Sequence, residues 1–317
     1  MLTSVEICSG AGGQALGLEQ AGFSHLALVE IDPDACQTLR TNRPRWNVVN
    51  ADLQNWDPNG FGEVDLLAGG VPCPPFSVAG RQLGSDDERD LFPRALQILE
   101  AISPRALMFE NVRGLLDRRF DDYRENLNSR LRKLGYAPSW RLLNAVDFGV
   151  PQIRQRVVLV AIRQDCAEFN WPQPALHKVR TVGEALVDLM ASEGWLGAED
   201  WAAAANAAAP TLVGGSKKHG GPDLGPTRAR EAWKKLGVDG SGVADSPPGV
   251  GFEGMPKLTV RMAARVQAFP DDWLITGKKT SAYRQVGNAL PPPIAKAVGL
   301  QIKSALVSSA IGAEVAA

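Results

Sequence analysis

The sequence predicts an α/β fold in which a sheet covered by helices is followed by a smaller, loop-rich unit. Three observations lead there. Over residues 1–162 short β-rich runs alternate with segments of helical period, the pattern of parallel strands covered on both faces. From about residue 170 that alternation stops, and Pro, Gly, Ala and Trp take over. The chain's 317 residues, 44% of them hydrophobic, exceed one typical domain and can bury a substantial core.

The elements follow in order. Residues 5–7 read as the first strand, leading into a glycine loop; Ala15, Leu16, Leu18 and Glu19 then start a helix that Gly22 can end. Residues 27–30 form the next strand, after which Asp32 caps a helix with Pro33 in its first turn. Residues 64–68 and 106–109 are short buried strands. Between them Leu91, Ala95, Ile98, Leu99 and Ile102 recur at helical spacing, as Tyr123, Leu127, Leu131 and Leu134 do before Gly135. Strand character returns at 141–143 and 157–162. The stretch 172–256 holds an alanine run (202–209), a glycine-lysine segment (214–221) and the turn Ser246-Pro247-Pro248-Gly249, and reads as loops. Ile294, Ala297, Val298, Ile302 and Leu306 predict a last helix, whose end is expected to fray.

Lys and Arg number 34 against 35 Asp and Glu, a net charge of -1, so any nucleic-acid surface must be a local patch. Such a patch lies at 210–235, where Lys217, Lys218, Arg228, Arg230, Lys234 and Lys235 outweigh Asp223 and Glu231. That suits phosphate contact, although a solvated helix face at 227–236 fits each residue equally. Cys8, Cys36, Cys73 and Cys166 include no C-x-x-C pair, and His25, His177 and His219 are scattered, which argues against a metal site or a disulfide framework. No secretory signal and no membrane-length apolar run is found, and a cytoplasmic protein is expected.

Four segments carry chemistry. Ser9-Gly10-Ala11-Gly12-Gly13 is a glycine turn between strand and helix, which lets a ligand approach the backbone and the helix N-terminus. It also fits G-x-G-x-x-A, so nicotinamide and flavin stand beside other adenosine cofactors. Glu30 ends the second strand about 20 residues on, where a carboxylate can accept from ribose hydroxyls. Pro72-Cys73-Pro74 follows the strand at 64–68; a cysteine between prolines cannot sit inside a helix or central strand, so it lies on a stiff loop at the sheet's carboxyl edge. Glu110 and Asn111 end another apolar strand at the same edge. Gln152-x-Arg154-x-Arg156 puts two arginines at alternate positions leading into a strand, on one face.

In this order the motifs resemble those of the DNA cytosine C5 methyltransferases, in particular the bacterial type II modification enzymes, over nearly the whole chain outside the variable stretch. The resemblance implies a Rossmann-like mixed sheet of the S-adenosylmethionine-dependent methyltransferases, residues 1–168 completed by 282–317, and a smaller target-recognition domain at 169–281. It implies S-adenosyl-L-methionine as cofactor, held by Cys8, Ser9, Gly10, Gly12, Gly13, Glu30, Ile31, Asp52, Pro72 and Asn288. Cys73 would be the nucleophile, Glu110 the group on cytosine N3, and Arg156 or else Arg154 the positive partner. Asn111, Gln152, Lys217, Lys218, Arg228 and Arg230 would meet double-stranded DNA. Residues 261–270 resemble the segment that organises the recognition domain, and Gln285-Val286-Gly287-Asn288-Ala289 the closing motif at the cofactor pocket.

Three positions depart from the family pattern: Cys8 for phenylalanine, Pro74 for glutamine, and Met262 for glutamate, which removes an expected ion pair. A monomer is expected, because one asymmetric cleft can read a duplex alone, and a cognate restriction endonuclease is possible, acting on the same DNA site without touching this chain. An RNA cytosine methyltransferase shares the core, but its Cys-Phe-Thr tripeptide is missing here and the variable stretch is long. A nicotinamide oxidoreductase leaves Cys73, Glu110, Arg156 and Asn288 unexplained, and a silent DNA-binding regulator leaves the retained thiol without a purpose.

Overall fold

The computed structural model describes residues 1–72, 90–174, 178–215, 221 and 223–315. Cys73, Pro74, Lys217 and Lys218 lie outside the described residues. The strands are β1 (Leu2–Ile7), β2 (Phe23–Glu30), β3 (Val48–Asn50), β4 (Leu66–Gly69), β5 (Ala106–Val112), β6 (Tyr136–Asn144) and β7 (Gln155–Arg163). The helices are α1 (Gly13–Ala21), α2 (Pro33–Asn42), α3 (Phe92–Ile102), α4 (Asp121–Lys133), α5 (Val182–Ala191), α6 (Ala198–Ala204), α7 (Thr227–Lys234), α8 (Val260–Val266), α9 (Lys279–Asn288) and α10 (Pro292–Val315).

The strands form one sheet in the order β3-β2-β1-β4-β5-β7-β6. β1 to β5 are parallel, whereas β7 runs antiparallel to β5 and β6 antiparallel to β7, so the sheet is mixed. Alternate side chains of the central strands bury on opposite faces, as a period of two demands. Leu67, Leu107, Phe109 and Leu159 pack with Leu96 and Leu99 of α3 and Leu127 and Leu131 of α4. Leu66, Ala68, Met108 and Val158 pack with Ile294, Val298 and Ile302 of α10. Each such aliphatic side chain contributes about 1.5–3 kcal/mol. α1 and α10 cross so tightly that a methyl group on Gly17 would stand 2.4 Å from the Pro292 carbonyl.

Local signals hold where they were strong. Asp32 Oδ1 accepts from the Asp34 N–H at 3.0 Å with Pro33 at the helix start, and Gly22 closes α1 at φ 97°. β3 carried no sequence signal, because a three-residue edge strand with no fully buried residue has no apolar pattern to show. β6 runs well beyond 141–143 because pairing with β7, not its own composition, extends it.

The variable stretch is more structured than its composition suggested. α5, α6 and α7 form in it, and Trp201, Trp233, Leu186 and Met190 join Met262, Phe269, Trp273 and Tyr283 in a separate core. Its apolar residues are widely spaced in sequence, so only the fold collects them. That core also takes in Ala11 and Leu16 of the cofactor-loop region, and residues 281 and 282 both lie within α9. At the start of α8, Met262 takes the place of a capping carboxylate, its sulfur accepting from the Thr259 N–H at 3.4 Å. Arg265 meanwhile pairs with Asp188 and Asp271.

Candidate active site

The chain turns outward along β1, β2 and β3 and then returns to β4, so the strand order reverses between β1 and β4. Open α/β sheets hold ligands at the carboxyl edge beside such a reversal. There a cavity of about 460 Å³ opens, within the usual range for a small-molecule site.

Its first wall is the loop after β1. Cys8, Gly10 and Gly12 take positive φ values of 53°, 54° and 82°, a conformation that costs little only at glycine. Gly13 admits no side chain, since a Cβ would stand 2.2 Å from the Leu290 carbonyl. Glu30 fixes this loop: its Oε2 accepts from the Gly10 N–H at 2.8 Å and its Oε1 from the Asp32 N–H at 2.8 Å. Each oxygen keeps acceptor capacity for a ligand hydroxyl. Cys8, Ser9, Gly10, Gly13, Glu30, Ile31, Asp52, Pro72 and Asn288 line the cavity, as does Glu110; Gly12 instead turns inward against Leu39 and Trp273.

Sequence reasoning missed Glu6, Gln14, Asp32 and Arg284, which also line it, as does Gln285 of the closing motif. Glu6 is fully buried and Gln14 nearly so, and none of their side-chain oxygen and nitrogen atoms has a hydrogen-bond partner among the described residues. A carboxylate inside the otherwise apolar Val5-Glu6-Ile7 was the available signal for Glu6. Orphaned polar atoms in a cavity are the mark of a polar ligand's seat. Together with the Glu30 carboxylate, they fit a cofactor with an adenosine end and a charged amino-acid end.

Burial, and then the charge of Glu30, push the Glu6 carboxyl well above the usual carboxylate range, and the nearby Ala15 N–H draws it down by less. A raised folded value means that folding is favoured when Glu6 is protonated, and that this stability is lost as pH rises through the folded value. Glu6→Gln is therefore expected to raise the melting temperature at pH 8 and to change it little at pH 4. Equal shifts in thermal melts at both pH values would contradict a buried, protonated Glu6.

The second wall is β5 against β7. Glu110 Oε1 meets Arg156 Nε at 2.8 Å, with both side chains nearly enclosed. Burial pushes Glu110 up, against the pull of Arg156 and then Arg154; burial likewise pushes Arg156 down, against Glu110. A carboxyl so placed can be made to hold a proton and donate it. Gly70 lies beside it, for a Cβ there would be 3.4 Å from Glu110 Oε2.

Three of the expected residues are engaged within the framework. Arg154 is fully buried, donating to the carbonyls of Leu212 (2.8 Å), Gly287 (2.8 Å) and Ala289 (2.9 Å). Asn111 is tied to the backbone, its Nδ2 donating to the Val71 carbonyl at 2.9 Å and its Oδ1 accepting from the Val112 N–H at 2.8 Å. Gln152 is fully buried, donating to Gln267 Oε1 at 3.0 Å and accepting from the Leu212 N–H at 2.9 Å. In each case a dry backbone group claims the side chain more strongly than water would. Arg228 and Arg230 are exposed on α7. Among the described residues no group of three or more His, Cys, Asp or Glu side chains is arranged to hold a metal ion, and no helix is long and apolar enough to cross a membrane.

A mixed sheet of this order, with an adenosine-sized cavity at its reversal and a buried glutamate-arginine pair on the wall, defines an α/β enzyme of the methyltransferase type. The chain belongs to the C-5 cytosine-specific DNA methylases, whose family profile matches residues 2–304. It is accordingly a cytosine C5 DNA methyltransferase, and membership implies S-adenosyl-L-methionine as methyl donor. It is 57% identical to the type II methyltransferase M.NaeI of Lentzea aerocolonigenes over 96% of this chain and 75% of that protein. To the type II methyltransferase M.NgoMIV of Neisseria gonorrhoeae it is 53% identical, over 96% of this chain and 98% of the other. In fold it is similar to a DNA modification methyltransferase encoded in an Escherichia coli prophage, with a TM-score of 0.69 at 20% identity over 96% of this chain and 99% of that one.

Proposed function

We propose that the chain methylates cytosine C5 within one short double-stranded DNA sequence, acting on a base turned out of the helix and joined for part of the reaction to Cys73. The observation that carries the reading is the Glu110–Arg156 pair on the wall of the cavity, beside the Gly70-Val71-Pro72 segment that leads into Cys73.

Cytosine C5 is a weak nucleophile. Addition of the Cys73 thiolate to C6 makes the ring an enamine, nucleophilic at C5. A free thiol with a pKa of about 8.5 is only a few per cent ionised near pH 7, and Arg156 supplies positive charge near the reacting centre. Glu110 delivers or holds a proton at N3, offsetting the charge that develops as the thiolate adds. A base then takes the C5 proton, and the electron pair of that bond re-forms the C5–C6 double bond as the C6–S bond breaks and Cys73 leaves as thiolate. When bound, S-adenosylmethionine supplies an electrophilic methyl group; Gly10, Glu30 and Asp52 would hold its adenosine, and Glu6 and Gln14 its polar end. Extrusion of the base costs a few kcal/mol, which contacts from α7, with Arg228 and Arg230, and from Lys217 and Lys218 would help to offset.

The type II relatives support placing the chain in a restriction-modification system, with a cognate endonuclease that reads the same site separately. It would act as a monomer in the cytoplasm, with residues 169–281 as the reading domain and 1–168 with 282–317 as the catalytic one. Bisulfite sequencing of plasmid DNA from a host lacking cytosine methylation, with and without this protein, tests the reading. Conversion-resistant cytosines at one short motif are expected. Uniform conversion in the presence of soluble protein would refute it and point to RNA or to an inactive enzyme.

A further inference from the structure

The glycine turn after β1 passes through positive φ at Cys8, Gly10 and Gly12, and at Cys8 it does so with a side chain. Backbone held in that region persists only where its surroundings fix it. Two groups from outside the turn do so. Glu30 takes the Gly10 N–H. The other is Trp273, whose Nε1 donates to the Ala11 carbonyl at 3.1 Å from 262 positions along the chain.

Trp273 is 2% exposed and stands behind the turn, not on the cavity wall. Its indole stacks on Phe269, with ring centres 6.1 Å apart and planes 27° from parallel. The two rings underlie the turn: a Cβ on Gly12 would stand 3.0 Å from Trp273 Cζ2, and one on Gly13 3.2 Å from Phe269 Cζ. The indole is fixed in its turn from α2. Asn42 grips the backbone of the next residue, its Nδ2 donating to the Leu274 carbonyl at 2.7 Å and its Oδ1 accepting from the Leu274 N–H at 2.8 Å. The Arg43 guanidinium lies over the Trp273 ring, 5.2 Å from its centre, and pairs with Glu19 at 2.9 Å.

We infer that Trp273 is a positioning residue for the methyl donor, its indole N–H and ring holding Ala11 and Gly12 in the shape that the cofactor meets. The inference rests on the reading above that the cavity takes S-adenosylmethionine. Neither Ala11 nor Gly12 has a side-chain group able to hydrogen-bond, so the anchor has to come from elsewhere. Glu30 Oε2 serves the Gly10 N–H and faces the ligand as well. A turn held from behind keeps its shape while Glu30 shares that oxygen with a ligand hydroxyl. A buried indole N–H needs a partner, and here the partner is a carbonyl of the cofactor turn.

The test is a calorimetric titration with S-adenosylhomocysteine, run well below the melting midpoint of each variant so that lost stability alone leaves the affinity unchanged. Trp273→Phe keeps a ring against Phe269 and removes the N–H. It should bind the ligand ~3- to 10-fold more weakly, the worth of one buried hydrogen bond. In transfer assays KM for S-adenosylmethionine should rise by the same factor, and saturating cofactor should restore the rate. Asn42→Ala, which releases the Leu274 backbone beside the indole, should weaken ligand binding in the same direction. Wild-type affinity in folded Trp273→Phe overturns the inference and leaves the functional reading standing; if that variant does not fold, wild-type affinity in Asn42→Ala does the same. A wild-type chain that binds no S-adenosylhomocysteine sinks the functional reading with it.

Discussion

Cys73→Ala should abolish methyl transfer, lowering the single-turnover rate by more than about a thousandfold, as removal of a covalent nucleophile does elsewhere. Duplex and cofactor binding should survive, because the described residues supply cavity walls on β1, β2 and β5. The backbone entering Cys73 is anchored independently: the Val71 carbonyl by Asn111, and the Pro72 carbonyl by the Leu91 N–H at 3.4 Å. The measurement is transfer of labelled methyl to the mapped duplex under enzyme excess, paired with a binding titration. A rate within tenfold of wild type would remove Cys73 from the mechanism. Lost binding with lost turnover would instead mean that the substitution had disturbed the loop.

Arg154→Ala should act on stability rather than on chemistry. Three carbonyls, those of Leu212, Gly287 and Ala289, share the Arg154 guanidinium in an interior closed to water. Each stranded carbonyl costs about 1–3 kcal/mol, so their loss together would consume a large part of the ~5–15 kcal/mol that holds a typical domain. Urea or thermal unfolding should show a much lower midpoint, or no cooperative transition. An Arg154→Ala chain that melts like the wild type but fails in transfer would restore a role for Arg154 at the flipped base.

Arg154 and Arg156 mark the limit of what their spacing could say. Two positions apart at the start of β7, they read as one charged face. Yet Arg156 meets Glu110 on the neighbouring strand, and Arg154 reaches residues 58 and 133 positions away. Gln152 repeats the pattern, its partner Gln267 standing 115 positions on. A strand pattern fixes which way the backbone runs and how side chains alternate. Which carbonyl a guanidinium finds depends on segments that only folding brings near.

By itself the sequence determined the sheet and helix alternation, the glycine turn after β1, and the carboxylates that close β2 and stand two residues before the end of β5, because each is a local consequence of residue type and period. It also carried the order of motifs that marks the family. The tertiary structure alone decided that Glu6 and Gln14 stand unpartnered at the cavity. It decided, too, that Asn111, Gln152 and Arg154 serve the framework, and that the variable stretch gathers a core around Trp201 and Trp233. Burial and hydrogen bonding are properties of neighbours distant in sequence, and a buried polar group takes whichever partner the packing leaves within reach.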